Sequence, residues 1–307
     1  MRTTSLIIFL QIACNFQLSG AEISDLQCSE GNSVDFRPFP ECQWENSCIL
    51  SDLNVAKDSP FTIDRVAHDF KCLIFLESSV HEIPSTIFLT LKSNITHLYA
   101  NHVSMSELRR ISFPFGQKLQ VVNLSGNHIK GIKETVFYDA PNLELLDLSD
   151  NQIAEFSANA FDKLQSLKIL DLSQNQITAI PFGLFQPLSS IVYLNLRSNR
   201  IQIRFGIFPD FVKTLDLSYN GIDIHHKFKI FSLLNNLETL LLHGNKIESI
   251  HNSILESNLK FLGLSDNPFT CIHLADIFLA MKENNVLSAP ESLVKDTSNI
   301  QGIRCIE

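Results

Sequence analysis

The chain has 307 residues, a length that fits two ordinary domains or one extended repeat array. Apolar residues make up 45% of it and charged residues 19%, so the composition supports a continuous core and argues against an acidic disordered chain. The formal net charge of −9 argues against a general nucleic-acid binder and against adsorption to anionic lipid.

Residues 1–20 have the pattern of a secretory signal peptide. Arg2 supplies the positive start, a mostly apolar stretch runs from Leu6 to Leu18, and the small residues Gly20 and Ala21 follow. The apolar stretch is too short to span a bilayer, so we expect cleavage near Gly20; an uncleaved anchor is the alternative. No later window has the length and hydropathy of a transmembrane helix. The sequence therefore predicts a secreted, extracellular protein without a membrane span.

Cysteines lie only near the two ends of the mature chain. The six that remain after the signal peptide are Cys28, Cys42, Cys48, Cys72, Cys271 and Cys305. An even number confined to the ends of an exported chain indicates disulfides, and the tight C-x-x-C pairs of a zinc site are absent. The first four permit three pairings. We favour Cys28 with Cys48 and Cys42 with Cys72, because the second pair would tie a cap to the first repeat strand.

Between the caps, one phrase recurs with the pattern L-x-x-L-x-L-x-x-N-x-I. Two weaker copies and seven clear ones begin at Phe70, Ile95, Leu119, Leu143, Leu167, Ile191, Val212, Leu237 and Leu259, at spacings of 21 to 25 residues. Self-similarity at this period predicts a solenoid of nine coils. We therefore divide the mature chain into an N-terminal cap (21–69), the repeats (70–269) and a C-terminal cap (270–307).

Each letter of the phrase has a physical role. The x-L-x-L-x part alternates with period two, which predicts a short strand with one buried face. Stacked coils would form a curved parallel sheet that lines the concave side, so the predicted fold class is an α/β solenoid. The asparagine follows the strand, where its amide can satisfy backbone groups of the turn and of the adjacent coil. The predicted ladder comprises Asn127, Asn151, Asn175, Asn199, Asn220, Asn245 and Asn267.

The first two coils depart from this ladder, since Ser78 and Val103 stand at the equivalent positions. A phenylalanine follows about ten residues after each ladder position, and these rings are predicted to stack as a second spine on the convex side. The series is Phe88, Phe113, Phe137, Phe161, Phe185, Phe208 and Phe231, with the last two one residue out of step and Leu255 in the eighth coil. In the C-terminal cap, LADIFLAMKENN predicts a short amphipathic helix, and Cys271 is expected to pair with Cys305.

The 24-residue period with its convex phenylalanine resembles the extracellular class of leucine-rich repeats. The runs CILSDLNV…FTI and LIFLESSVHEIPSTIF resemble the leading segment of secreted insect leucine-rich immune proteins, and CIHLADIFLAMKENN…NIQGIRC is similar to their C-terminal caps. The resemblance implies a non-enzymatic binding protein of innate immunity. The chain lacks the C-terminal coiled coil and extra cysteines by which those proteins dimerise.

Strand residues that point away from the core would form the concave face, the usual binding surface of such a fold. One outward column contains Val121, Leu145, Ile169 and Tyr193 on successive coils, which predicts an exposed apolar stripe that a partner could bury. The alternative is that β-branched and aromatic residues simply favour strands. The neighbouring column contains Asp147 and Asp171, which could attract a basic partner or could reflect the LDLS phrase of the repeat.

Two sequons, Asn94-Ile-Thr and Asn123-Leu-Ser, predict N-glycosylation. The sequence has no G-x-S-x-G elbow, H-E-x-x-H motif or phosphate loop, so we expect no enzyme, no cofactor and no metal site. The sequence favours a secreted recognition protein that binds an extracellular protein through the concave face. Alternatives are a structural matrix or adhesion protein and, less favoured, a secreted enzyme inhibitor.

Overall fold

The computed structural model describes residues 42, 47–51, 53–55, 70–83, 87–88, 94–110, 112–223, 229–255, 257–288, 299–300 and 303–305. Within these residues, eleven strands pair in parallel in one sheet. In chain order they are β1 (Ser47–Ser51), β3 (Cys72–Leu76), β5 (His97–Tyr99), β6 (Val121–Asn123), β8 (Leu145–Asp147), β10 (Ile169–Asp171), β11 (Tyr193–Asn195), β12 (Thr214–Asp216), β13 (Thr239–Leu241), β14 (Phe261–Gly263) and β15 (Leu287–Ser288). The predicted parallel-sheet solenoid is confirmed.

Shorter elements complete the coils. The remaining strands pair in twos: β2 (Asn54–Val55) with β4 (Ser79–Val80), β7 (Gly131–Ile132) with β9 (Glu155–Phe156), and β16 (Asn299–Ile300) with β17 (Ile303–Arg304). Helix α1 spans Lys229–Ser232, helix α2 spans Cys271–Glu283, and 3₁₀ turns span Gly116–Lys118 and Asn252–Ile254.

Each predicted repeat strand is present, and the sheet continues by one strand at each end. Strand β1 lies within the segment predicted as the N-terminal cap and pairs with β3, with Ser47 opposite Cys72. That offset of 25 residues equals the spacing of the next two repeats, so the cap contributes a coil of its own. At the other end, β15 extends the sheet beyond the last predicted repeat.

The core is built from the leucines of the repeat phrase. Leu146, Leu170, Leu194 and Leu215 are fully buried at neighbouring register positions, while the residues on either side of them face outward. Burying one such side chain stabilises the fold by roughly 1.5–3 kcal/mol, and the stacked coils make one continuous cluster. Stacking supplies the burial that a single three-residue strand could not.

The asparagine ladder is confirmed, and all seven members are buried. In the fifth coil, Asn175 Nδ2 donates to the carbonyls of Leu148 (2.9 Å) and Leu172 (3.1 Å), while its Oδ1 accepts from the Ile153 amide (2.9 Å). Leu148 and Ile153 belong to the preceding coil, and every other ladder asparagine likewise bonds back to the coil before it. The ladder therefore joins each coil to its N-terminal neighbour.

The convex spine is confirmed as well, in two runs. Phe113, Phe137, Phe161 and Phe185 stack with ring centroids 5.5–6.2 Å apart, and Phe88 meets the first of them edge-on. Phe208 and Phe231 form a second stacked pair at 6.0 Å, and Leu255 is buried at the predicted position. The second run begins in the shortened sixth coil, where the phenylalanine is one residue out of step.

Helix α2 closes the C-terminal end as predicted. Thr270 caps its first turn by accepting the amide of His273, and the helix buries Leu274, Ile277 and Phe278 against the core. The predicted Cys271–Cys305 disulfide is present and anchors the start of the helix. No described helix is long and apolar enough to cross a membrane.

Candidate partner-binding face

The apolar stripe lies on the concave surface as the sequence predicted. Strand pairing places Val121, Leu145, Ile169 and Tyr193 directly beside one another on four successive coils. Ile169 is exposed over 37% of its surface, and the other three side chains are partly exposed. The four side chains form one contiguous row, and the first of them, Val121, also packs against the buried cluster that contains Cys42 and Tyr99.

The neighbouring column carries the two predicted carboxylates. Asp147 Oδ1 accepts from the backbone amide of Ser149 (2.9 Å) and from its hydroxyl (2.6 Å), and Asp171 Oδ1 accepts from the Ser173 amide (2.8 Å). These bonds close the turn after each strand, so the LDLS phrase has a local structural role. Asp216 repeats the arrangement in the seventh coil.

Asparagine performs the same structural role in two other coils. Asn123 Oδ1 accepts from the amide (2.9 Å) and hydroxyl (2.8 Å) of Ser125, and Asn195 Oδ1 accepts from the Arg197 amide (3.1 Å). A neutral amide therefore closes this turn as well as a carboxylate does. The turn does not require the negative charges of Asp147 and Asp171.

Two side chains of this face have raised pKa values. Burial raises the pKa of the Asp147 carboxyl; the bonds from Ser149 oppose this shift and the nearby Asp171 adds to it. Burial, assisted by the charges of Asp216 and Asp171, raises the pKa of Tyr193 to about 12, although Arg197 acts in the opposite direction. At neutral pH Tyr193 therefore keeps its proton, which makes it an apolar ring with a hydroxyl donor.

The concave face is covered at its N-terminal end. Cys72 lies in the same column as Val121, yet it is fully buried and bonded to Cys42, as predicted for this pair. Ile74 and Tyr99 occupy the column that contains Asp147 in a later coil. They are also buried, in one cluster with Cys42. The cap thus covers the outer side of β3 at Cys72 and Ile74, and that of β5 at Tyr99, whereas His97 of β5 is partly exposed like Val121.

The other N-terminal pairing stays a prediction. Cys48 is fully buried in β1 and forms a disulfide. Cys28 lies outside the described residues.

Sequence reasoning missed an apolar surface at the C-terminal end of the sheet. Phe261 and Leu287 face each other across β14 and β15, and they are 40% and 59% exposed. Phe261 stands in the outward column of the repeat. Leu287 belongs to the cap, and its strand carries none of the repeat phrase that would have placed it on this face.

Polar groups around the face are mostly engaged with one another. The Arg197 guanidinium lies 4.4 Å from the ring centroid of Tyr219, whose hydroxyl donates to Asp266 (2.9 Å). Lys168 pairs with Glu144 at 2.7 Å, and Lys260 pairs with Glu238 at 2.8 Å, each across neighbouring coils. Within the described residues, no group of His, Cys, Asp and Glu side chains could hold a metal ion.

Both predicted glycosylation residues are described. Asn94 is partly buried, and its Oδ1 accepts from Lys118 Nζ. Asn123 lies in β6 on the concave side, and its Oδ1 is bonded to the serine of its own sequon. Glycan occupancy at both sites stays a prediction.

The family described as leucine rich repeat matches residues 93–153, 117–177 and 141–201 in overlapping segments. The fold is the leucine-rich-repeat solenoid. A leucine-rich-repeat protein of Leptospira interrogans has a similar structure, with a TM-score of 0.52 and 21% identity over 71% of this chain. The match covers 60% of the length of that protein, and at this identity it shows the fold alone. None of the curated proteins matches the chain.

Proposed function

We propose that this leucine-rich-repeat chain is a secreted recognition protein, without catalytic activity, that binds an extracellular protein on its concave face. One observation carries the proposal: a contiguous row of apolar side chains lies on four successive coils, beside carboxylates whose turn bonds a neutral amide can also make. Leucine-rich repeats are typical of protein-binding scaffolds, and soluble proteins seldom leave such a stripe unused.

The size of the stripe suits the centre of an interface. Strands about 4.8 Å apart place the four side chains over roughly 15 Å. Covering them would contribute several kcal/mol at roughly 25 cal/mol for each Å² of apolar area. Tyr193 is the expected anchor, because a half-buried, protonated tyrosine offers both a ring and a hydroxyl donor.

The acidic column indicates the charge of the partner. Asp147 and Asp171 border the stripe, and asparagine could replace either without loss of the turn bond. We expect these carboxylates to attract a partner with a basic rim and to raise the association rate at low ionic strength. A basic group placed beside Asp147 would also lower its raised pKa.

Innate immunity is the setting that we propose. The signal-peptide pattern of residues 1–20 supports secretion, and the disulfides at both ends are compatible with it. The resemblance of both end segments to secreted insect immune proteins supports the immune assignment.

The experiment uses the mature protein as bait in haemolymph or conditioned medium. Its Tyr193→Ser/Ile169→Ser variant should capture the specific partner at least tenfold less, with secretion and Tm nearly unchanged, because both side chains face outward. The matched control is Tyr138→Ser/Phe182→Ser, which removes two exposed rings outside the concave sheet and should leave capture unchanged.

Three results would argue against the proposal. If the concave variant still captures the partner, the stripe reflects strand propensity alone and the site lies elsewhere. Matrix components among the captured proteins would favour an adhesion role, and a hydrolase would favour an inhibitor.

A further inference from the structure

One histidine of the solenoid is buried at the contact between the eighth and ninth coils. His243 follows strand β13 at a repeat position where most other coils have a small hydroxyl side chain. The serines at this position are Ser125, Ser149, Ser173, Ser218 and Ser265. Although its ring is much larger than a serine side chain, His243 is only 3% exposed. The neighbouring coil must therefore provide room for it.

A glycine in the ninth coil provides that room. Gly263 occupies the column in which Asp216 stands two coils earlier. A Cβ atom at Gly263 would lie 2.3 Å from Nε2 of His243, which is closer than two such atoms can approach. Any side chain at this position would displace the ring. His243 and Gly263 are therefore a matched pair across β13 and β14.

The ring also bonds to the backbone of the ninth coil. The Ser265 amide donates to Nδ1 of His243 (3.1 Å). An amide donor needs a lone pair on its partner, so Nδ1 carries no proton and the neutral ring carries its proton on Nε2. A second proton can bind only at Nδ1, where it would face the N–H of Ser265. Protonation therefore breaks this bond and leaves a charge on a buried ring.

The charges of the surrounding surface balance one another. The charged and titratable side chains on the described concave side of the sixth to ninth coils, apart from His243 itself, are Tyr193, Arg197, Lys213, Asp216, Tyr219, Glu238, Lys260 and Asp266. They comprise three carboxylates and three cations, and Glu238 pairs with both Lys213 (3.6 Å) and Lys260 (2.8 Å). The response of His243 to acid therefore depends mainly on its burial and on the bond from Ser265.

The contact lies near the end of the stack. Besides the bond to His243, the amides of Leu242 and Gly244 donate to the carbonyls of Gly263 (2.8 Å) and Ser265 (2.8 Å). Beyond the ninth coil, the described chain contains only the short strands β15 to β17 and helix α2. Each coil of a solenoid contacts only its neighbours, so the last repeat can open without disturbing the central coils.

We propose that His243 makes the contact between the eighth and ninth coils sensitive to mild acid. A proton from solvent binds Nδ1, the bond from Ser265 is lost, and the ninth coil separates from the eighth while the central coils stay stacked. The open state binds a proton that the closed state excludes, so the opening constant rises as the pH falls. The proposal does not depend on the partner-binding function of the row from Val121 to Tyr193.

Amide hydrogen exchange of the full mature protein, corrected for intrinsic rates, tests the proposal. A free histidine gains its proton near about pH 6.5, so the opening constant at the amides of Leu242, Gly244 and Ser265 should rise about tenfold from pH 7.5 to 5.5. The amides of Leu148 and Leu172 make the equivalent bonds in the central coils and should change less than twofold.

Variants test whether His243 causes the response. His243→Gln keeps an acceptor for the Ser265 amide but does not titrate, so it should lose the tenfold response. His243→Ser/Gly263→Asn restores residue types that the repeat has elsewhere and should lose the response as well. The matched control is His102→Gln, because the ring of His102 also lies against a glycine, Gly126, but is exposed. This control should keep the tenfold response.

Three results would overturn the proposal. One is a tenfold response that persists in His243→Gln, which keeps the test valid if the double variant fails to fold. Another is an equal loss of protection at Leu148, Leu172 and Leu242, because acid would then unfold the whole solenoid. The third is titration of the His243 ring in NMR spectra near pH 6.5 with unchanged protection at Ser265.

Discussion

The first two coils and the four central coils share one repeat phrase but differ in three contacts. In the central coils, ladder asparagines join neighbouring turns, phenylalanine rings stack face to face, and the outward strand positions are accessible. In the first two coils, Ser78 and Val103 replace the asparagine, Phe88 meets Phe113 edge-on, and Cys72 is fully buried. The ladder changes between the second and third coils. The ring geometry changes earlier, since Phe113 of the second coil already stacks on Phe137, and the column of Cys72 is already partly exposed at His97 in the second coil.

The position of a residue in the repeat therefore does not by itself determine how exposed its side chain is. Cys72 and Ile169 occupy the same outward column, yet one is fully buried and the other is 37% exposed. The N-terminal cap, which is covalently attached through Cys42, accounts for the difference. The accessible concave face is therefore bounded on its N-terminal side by the cap.

The largest effect is expected from removal of the cap disulfide. The bond joins residues 30 apart, so Cys42→Ser/Cys72→Ser should lower the free energy of unfolding by about 3.5 kcal/mol. It should also accelerate amide hydrogen exchange at 72–76 and 97–99. The control variant Cys271→Ser/Cys305→Ser removes a disulfide that joins residues 34 apart, a similar separation. It should leave the exchange at those strands unchanged. Unchanged protection in the first variant would show that the cap is held by other contacts.

The ladder gives the next largest effect. Asn175→Ala leaves buried groups of two coils without partners and should lower the free energy of unfolding by about 3 kcal/mol. Ser78→Ala removes the acceptor of the Leu53 amide and a hydroxyl that bonds to the carbonyls of Leu76 (2.7 Å) and Leu50 (3.4 Å), and should cost about 1 kcal/mol. Urea unfolding measures both, with the exposed Asn142→Ala as control. Equal losses would contradict the contrast between the two regions.

A smaller effect follows from the pKa of Tyr193. The folded value of about 12 exceeds the ordinary value of 10.0, so the unfolded chain loses this proton first as the pH rises. The contribution of this hydroxyl to the free energy of unfolding is complete below pH 10 and is lost as the pH rises toward 12. The free energy of unfolding, measured with urea across this interval, should fall less in Tyr193→Phe than in the wild type. Identical declines in both proteins would show that this tyrosine titrates normally.

The smallest effect is expected for Asp147→Asn. The amide would close the turn as Asn123 does, and the raised pKa of Asp147 means that folding disfavours its charge. At neutral pH the free energy of unfolding of the variant should exceed that of the wild type by at most about 0.5 kcal/mol. The difference should shrink as the pH falls. A loss above about 1 kcal/mol would mean that the turn needs the carboxylate.

Much of the fold could be predicted because the repeat phrase acts locally. Alternating leucines dictate each strand, and the asparagine and phenylalanine positions dictate the ladder and the spine. Strands β1 and β15 were not predicted, since neither carries the asparagine that marks a repeat. The stripe from Val121 to Tyr193 was predicted from its column.

The cover over Ile74 could not be predicted in the same way. It depends on where a distant segment lies, and the repeat phrase contains no such information. Side chains at the ends of a solenoid have different neighbours from equivalent side chains at its centre.

The direction of the asparagine bonds has a consequence for biosynthesis. Because each ladder asparagine bonds back to the coil before it, a newly made coil needs only earlier parts of the chain to satisfy that side chain. A chain emerging from the ribosome could therefore add coils in order, each on a finished template. Truncation from the C-terminus would leave the remaining asparagines bonded, whereas truncation from the N-terminus would leave the first one without its partners. The ladder bonds can therefore form in the order in which the coils are translated.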